Sequence, residues 1–323
     1  MTDGRHEAMS HDPLAGLSAG PAPGVGAGRM HLLWDNGNGT AAVWRLGPSG
    51  AETGGAVRRQ FGPFAGWAAR ALAVGPDRLA HVLWAGPGRA ASVWSVDMEG
   101  GEVGHWEFGP FDGWEARALA VGPDNVLRVL WAGADGRAAL WSLREGEAPE
   151  ALDCGPFEGW AAVSLAVGSD DRAHVLWTRD DGAASVWQVG ADGVAQPSEY
   201  GPYPGWSAVA AAAGPGGISR LLWKSAGGWA SLWDIPAGGE TPDQDAGDPV
   251  GHAQAVHGPF EGWTPAAVAP GADGEAHVLW RRDGGGLASV WRIDAGEDGE
   301  GGVEHTEYGP YAGWSAVALA LGP

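Results

Sequence analysis

From Met30 onward, short apolar runs alternate with glycine-bearing polar breaks, and no stretch sustains a helical period. Three kinds of run recur. The first follows the corner GP[FY]xGW, whose tryptophans are Trp67, Trp114, Trp160, Trp206, Trp263 and Trp314, at steps of 47, 46, 46, 57 and 51 residues. The second is [HR][LV]LW, ending at Trp34, Trp84, Trp131, Trp177, Trp223 and Trp280. The third is A[AS][VL]W, ending at Trp44, Trp94, Trp141, Trp187, Trp233 and Trp291. These three sets hold 18 of the 20 tryptophans. Breaks such as AGPGR, AGADGR and TRDDG join the second run to the third as hairpin turns, and GPD, GSD or GAD joins the first to the second. A fourth run leads back into the next GP corner, as in HWEFGPF and SEYGPY. The pattern predicts four short antiparallel strands per repeat, six times over. That is an all-β, six-bladed β-propeller.

Side-chain size orders the strands within a blade. Counted by twos from Trp67, Ala69, Ala71 and Ala73 share one face, and Arg70, Leu72 and Val74 the other. An all-alanine face suits the crowded axis, so this strand is expected innermost. The tryptophan strands then occupy the wider outer region, each ring packed on the neighbouring blade. The repeats begin with strands two, three and four, over about Met30 to Gly62, and finish with a lone strand one, Trp314 to Leu321. Together these complete one blade and close the ring with no open edge.

Composition narrows the function. The 57 glycines and 23 prolines suit many tight turns. The net charge of -21 repels phosphate backbones and anionic lipid, so neither nucleic acid nor a membrane surface is an expected partner, and no run is long enough for a transmembrane helix. The single cysteine, Cys154, rules out an internal disulfide. Residues 1–29 read as a flexible Gly/Pro/Ala tail without a signal peptide, which places the protein in the cytoplasm by default, with leaderless export as the alternative. His6 and His11 in this tail read as solvated rather than metal-binding.

The blade of about 47 residues with GW opening an inner strand is similar to the tachylectin-2-type propeller lectins. The combination GP[FY]xGW, [HR][LV]LW and ASVW resembles, more closely, tryptophan-rich repeats of bacterial proteins. The resemblance spans residues 30–323 and implies a propeller that binds amino sugars at equivalent sites between blades. This chain departs from it in having six blades rather than five and a tryptophan-dominated outer pattern, so no sugar-contacting residue carries over.

Two repeated sets are the candidates for ligand binding. The GW tryptophans Trp67, Trp114, Trp160, Trp206, Trp263 and Trp314 read as apolar platforms for sugar rings or as packing residues at a strand corner. The residues opening strand two, His31, His81, Arg128, His174, Arg220 and His277, read as a ring of hydrogen-bond donors for a polar ligand or as donors to backbone carbonyls of a neighbouring blade. The corner aromatics Phe64, Phe111, Phe157, Tyr203, Phe260 and Tyr311 allow either role. No metal or cofactor is expected, because equivalent residues are spread around the ring and arginine does not ligate. Catalysis needs asymmetry. The asymmetric residues are Arg70, Arg117 and Glu115 on adjacent inner strands, Trp106, Trp229, and the insertion from Ile235 with His252 and His257. Cys154 stands where Phe61, Phe108, Tyr200 and Tyr308 stand in other blades and reads as a small corner filler. The sequence therefore predicts a non-catalytic, lectin-like module with several weak equivalent sites for a glycan or other polar small ligand. The alternatives are a protein-interaction scaffold and an enzyme with one site at the channel mouth.

Overall fold

The computed structural model describes residues 28–47, 50–52, 56–190, 192–193, 195–236, 255–271, 274–282, 284–294 and 302–322. Of the expected tail, only its last two residues fall within them, and Arg29 is already in a strand. His6, His11 and His252 lie outside the described residues.

The chain forms a six-bladed β-propeller of six four-stranded antiparallel sheets. Blade 1 holds β1 (Arg29–Asp35), β2 (Ala41–Arg45) and β3 (Val57–Phe61), and blade 2 holds β4 (Ala68–Val74), β5 (Ala80–Ala85), β6 (Ala91–Asp97) and β7 (Gly101–Phe108). Blade 3 runs β8 (Trp114–Val121), β9 (Leu127–Gly133), β10 (Ala138–Leu143), β11 (Glu150–Cys154). Blade 4 runs β12 (Trp160–Val167), β13 (Ala173–Arg179), β14 (Ala184–Val189), β15 (Ala195–Tyr200). Blade 5 runs β16 (Trp206–Ala213), β17 (Ser219–Ser225), β18 (Ala230–Ile235), β19 (Ala255–His257). Blade 6 runs β20 (Trp263–Pro270), β21 (Ala276–Arg282), β22 (Ala288–Ile293), β23 (Val303–Tyr308). The last strand, β24 (Ser315–Gly322), pairs antiparallel with β1 from Arg29↔Gly322 to Asp35↔Ser315 and completes blade 1. Each first strand touches the first strands of both neighbouring blades, so six free strand edges enclose the axis.

One register feature corrects the expected side-chain parity. Every innermost strand carries a β-bulge, between Ala69 and Ala71 in β4 and between Ala116 and Ala118 in β8, with equivalents in the other four blades. An extra residue in one strand reverses the face of everything beyond it. Ala69 and Leu72 therefore share one interblade core with Val82 and Trp84, while Ala71 and Ala73 pack into the next, with Leu83 and Val93. The single alanine face of Ala69, Ala71 and Ala73 does not exist. Alanines near the axis are distributed over both faces instead, which lets neighbouring blades approach from either side.

The outer cores follow the tryptophans. Trp34 and Trp44 of blade 1 pack on Leu279, Ala288 and Val290 of blade 6. Trp177 and Trp187 of blade 4 pack likewise on Leu130, Ala138 and Leu140 of blade 3. Within each such pair the rings are tilted, with centroids 5.2 Å apart for Trp34 and Trp44, and a corner aromatic packs against them; Tyr311 meets these two edge-on at 5.2 and 5.1 Å. Truncating one of these buried rings to alanine costs about 3–5 kcal/mol. Serine at the variable place in A[AS][VL]W accepts the indole N–H two residues on, as Ser185 does from Trp187 at 3.1 Å and Ser289 from Trp291 at 3.1 Å.

The GP corner is fastened to the hairpin of the blade it leaves. Phe157 N–H donates to the Gly136 carbonyl at 3.0 Å, and Trp160 N–H to the Phe157 carbonyl at 3.1 Å. Gly136 sits at φ +79°, and a Cβ there would lie 2.0 Å from the Phe157 oxygen, so no other residue fits the turn. All six Gly–Pro bonds of these corners are cis.

Candidate ligand-binding site

The strand pairings separate the two candidate sets. Trp160 opens β12 and pairs with Arg179 at the end of β13, whereas His174 near the start of β13 pairs with Ala166 near the end of β12. The same antiparallel register holds in the other blades. The six GW tryptophans therefore lie on one face of the ring and the six strand-two residues on the opposite face. The structure does not bring the two sets together.

On the tryptophan face, Trp67, Trp114, Trp160, Trp206 and Trp314 are half-buried, and Trp263 is buried. The Trp67 ring rests on the backbone of Gly86, where an added Cβ would lie 2.8 Å from three ring atoms. Arginines from the β-hairpins lie over three of the rings: Arg137 at 5.2 Å from the Trp114 centroid, Arg179 at 5.1 Å from Trp160, and Arg282 at 6.0 Å from Trp263. Such contacts hold an indole and a guanidinium together at a water-facing surface. Between blades 5 and 6 this face opens into a broad depression of ≈ 1720 Å³, walled by Trp206, Ser207, Lys224, Trp263, Thr264 and Arg282 and reached by Asp181 from blade 4. It combines aromatic rings with hydroxyls and charges of both signs. Trp229, at the tip of the blade 5 hairpin, is one of the few large apolar side chains left exposed among the described residues.

On the opposite face the strand-two residues are turned inward. His31 Nδ1 lies 3.0 Å from the Arg29 carbonyl, His81 Nδ1 3.0 Å from Ser95 Oγ, and His174 Nδ1 2.6 Å from Ser219 Oγ of the next blade. His277 Nδ1 is buried without a partner among the described residues, and its Nε2 lies 3.8 Å from Glu275. Burial, which disfavours the imidazolium, lowers the pKa of His31, His174 and His277 to about 4, and that of His81 in the same direction. Arg220 forms a two-pronged ion pair with Asp234 at 2.6 Å and donates to the Gly274 and Glu275 carbonyls of blade 6 at 2.9 Å. Arg128 pairs with Asp124 at 2.7 Å. These donors are largely engaged inside the protein, tying turns to strands.

The corner aromatics cap the outer tryptophan pairs, as Phe64 does at 5.4 Å from Trp84. Trp106 packs into the core between blades 2 and 3. His257 takes the place of the aromatic before the corner and meets Trp291 edge-on at 5.4 Å, a role the sequence hid because histidine reads as chemistry before it reads as shape. Cys154 fills the same place in blade 3. Its smaller side chain leaves a small apolar void against Leu152, Trp177 and Trp187, and burial pushes its thiol pKa up. Among the described residues no group of three or more His, Cys, Asp or Glu is placed to hold a metal ion, and no helix is long and apolar enough to cross a membrane.

No protein-family profile matches the chain, and no curated protein matches it in sequence. Solved structures do match in fold. A protein of unknown function from Bacteroides caccae aligns at TM-score 0.52 and 10% identity over 91% of this chain and 98% of its own. A variant of Aleuria aurantia lectin, bound to alpha-methyl-L-fucoside, aligns at 0.51 and 13% over 91% and 98%. The PQQ-bound aldose sugar dehydrogenase of Streptomyces coelicolor aligns at 0.51 and 16% over 78% and 84%. Binding proteins and enzymes thus share this architecture, and at such identities the likeness is one of fold alone.

Proposed function

We propose that the protein is a carbohydrate-binding propeller whose sites lie on the tryptophan face. The observation that carries this reading is the repetition, on that one face, of half-buried indoles beside polar side chains. An aromatic surface takes the apolar face of a sugar ring, and neighbouring guanidinium, hydroxyl and carboxylate groups take its hydroxyls. Equivalent sites around a ring, each weak, gain avidity on a repetitive glycan. The likeness in fold to a lectin that holds a fucoside supports the reading. A glycan array followed by calorimetry on the purified protein tests it. Binding to at least one glycan family is expected, weakened about tenfold or more by Trp206→Leu with the fold retained by circular dichroism. An array without signal, or affinity indifferent to substitution at every half-buried GW tryptophan, overturns it.

A further inference from the structure

The bulge positions of the six innermost strands carry Arg70, Arg117, Val163, Val209, Ala266 and Val317. Four are apolar and half-buried, and two, on the adjacent strands β4 and β8, are exposed arginines. Their strands are packed on both faces by neighbouring blades, and their outer edges are paired with β5 and β9. The four apolar residues pack against the interblade cores, whereas the two arginines are exposed, and the unpaired edge toward the ring axis is the side of the strand left open to them. Among the described residues Arg70 makes no ion pair or side-chain hydrogen bond. Arg117 is paired with Glu115 at 3.0 Å, and both side chains of that pair are more than a third exposed. Glutamate accepts from one of the five N–H groups of Arg117 and leaves the rest for another acceptor.

We infer that Arg70 and Arg117 form an anion-binding sector on the channel wall, for a small ligand bearing one carboxylate. Two guanidinium groups less one carboxylate leave a single positive charge, which a monocarboxylate neutralises and a phosphate dianion overshoots. Guanidinium forks match the two oxygens of a carboxylate in geometry as well as charge. The site is separate from the tryptophan face and does not rest on the reading given to it. One place in the ring carries it, so its stoichiometry is one per chain, whatever the number of sites on that face.

Calorimetric titration with D-glucuronate, against D-glucose as the neutral control and inorganic phosphate as the dianion, tests the inference. One glucuronate per chain is expected, bound more tightly than phosphate, with glucose silent at that site and with affinity falling as sodium chloride rises. Arg70→Ala and Arg117→Ala should each weaken glucuronate about tenfold, and Glu115→Gln, which frees the second guanidinium, should strengthen it severalfold. Trp206→Leu should leave it unchanged, which keeps this outcome distinct from that of the tryptophan face. Absence of glucuronate binding, binding equal to that of glucose, tighter binding of phosphate than of glucuronate, or affinity indifferent to Arg70→Ala overturns the inference.

Discussion

The four buried histidines set the acid limit of the fold. In the unfolded chain a histidine takes up its proton near pH 6.5, whereas in the folded protein burial holds His31, His174 and His277 near 4. Between these values the unfolded state binds protons that the folded state refuses, so stability is fully present above pH 6.5 and falls as the pH drops. By pH 5 each of the three contributes about 2 kcal/mol less than at neutral pH. Thermal melts should therefore show a clear loss of Tm between pH 7 and pH 5, and His174→Gln should shrink that loss. Equal melting temperatures at the two pH values would contradict the assignment. The positions of these histidines were legible in the repeat. Their burial was not, because it depends on what the next blade presents, such as Ser219 to His174. The serine of A[AS][VL]W carried a signal that could have been read: it lies two residues before a tryptophan, on the same face of the strand, and it accepts that indole's N–H.

At the level of the element, the corner and the hairpin act as one unit. The Gly136 carbonyl receives the Phe157 amide, and the glycine itself leaves no room for a Cβ. Gly136→Ala is expected to cost more than 1 kcal/mol, through both the positive φ and the clash with the Phe157 oxygen. Denaturant titration reads this, and a variant as stable as the parent would remove the clamp from the account. The four strands and the GP corners followed from short apolar runs and their glycine breaks; the strand order was read from an all-alanine face and is found in the structure, although that face is not. The bulge did not follow from them. Arginine, valine and alanine occupy the six bulge positions, so no residue type marks them, and simple alternation places Ala69 and Ala71 together where the structure parts them. A bulge shows itself only when two strands are set side by side.

For the whole molecule, the ring depends on β24. Removing residues 309–323 takes away this strand and the Tyr311 ring that caps Trp34 and Trp44, leaving β1 as an open edge beside an incomplete core. Calorimetric unfolding should lose its cooperativity, and an unchanged transition would show that closure is dispensable. The closing strand has a further consequence. The repeat in the sequence and the blade in space are out of phase by one strand, so an extra copy of the repeat would carry the contents of a whole blade and still leave the seam as it is. Nothing at the seam counts to six. The number of blades is set by the wedge each blade makes, narrow where alanines line the axis and wide where indoles fill the rim, so ring size in this architecture is a property of side-chain volume, open to change by substitution along the inner strands.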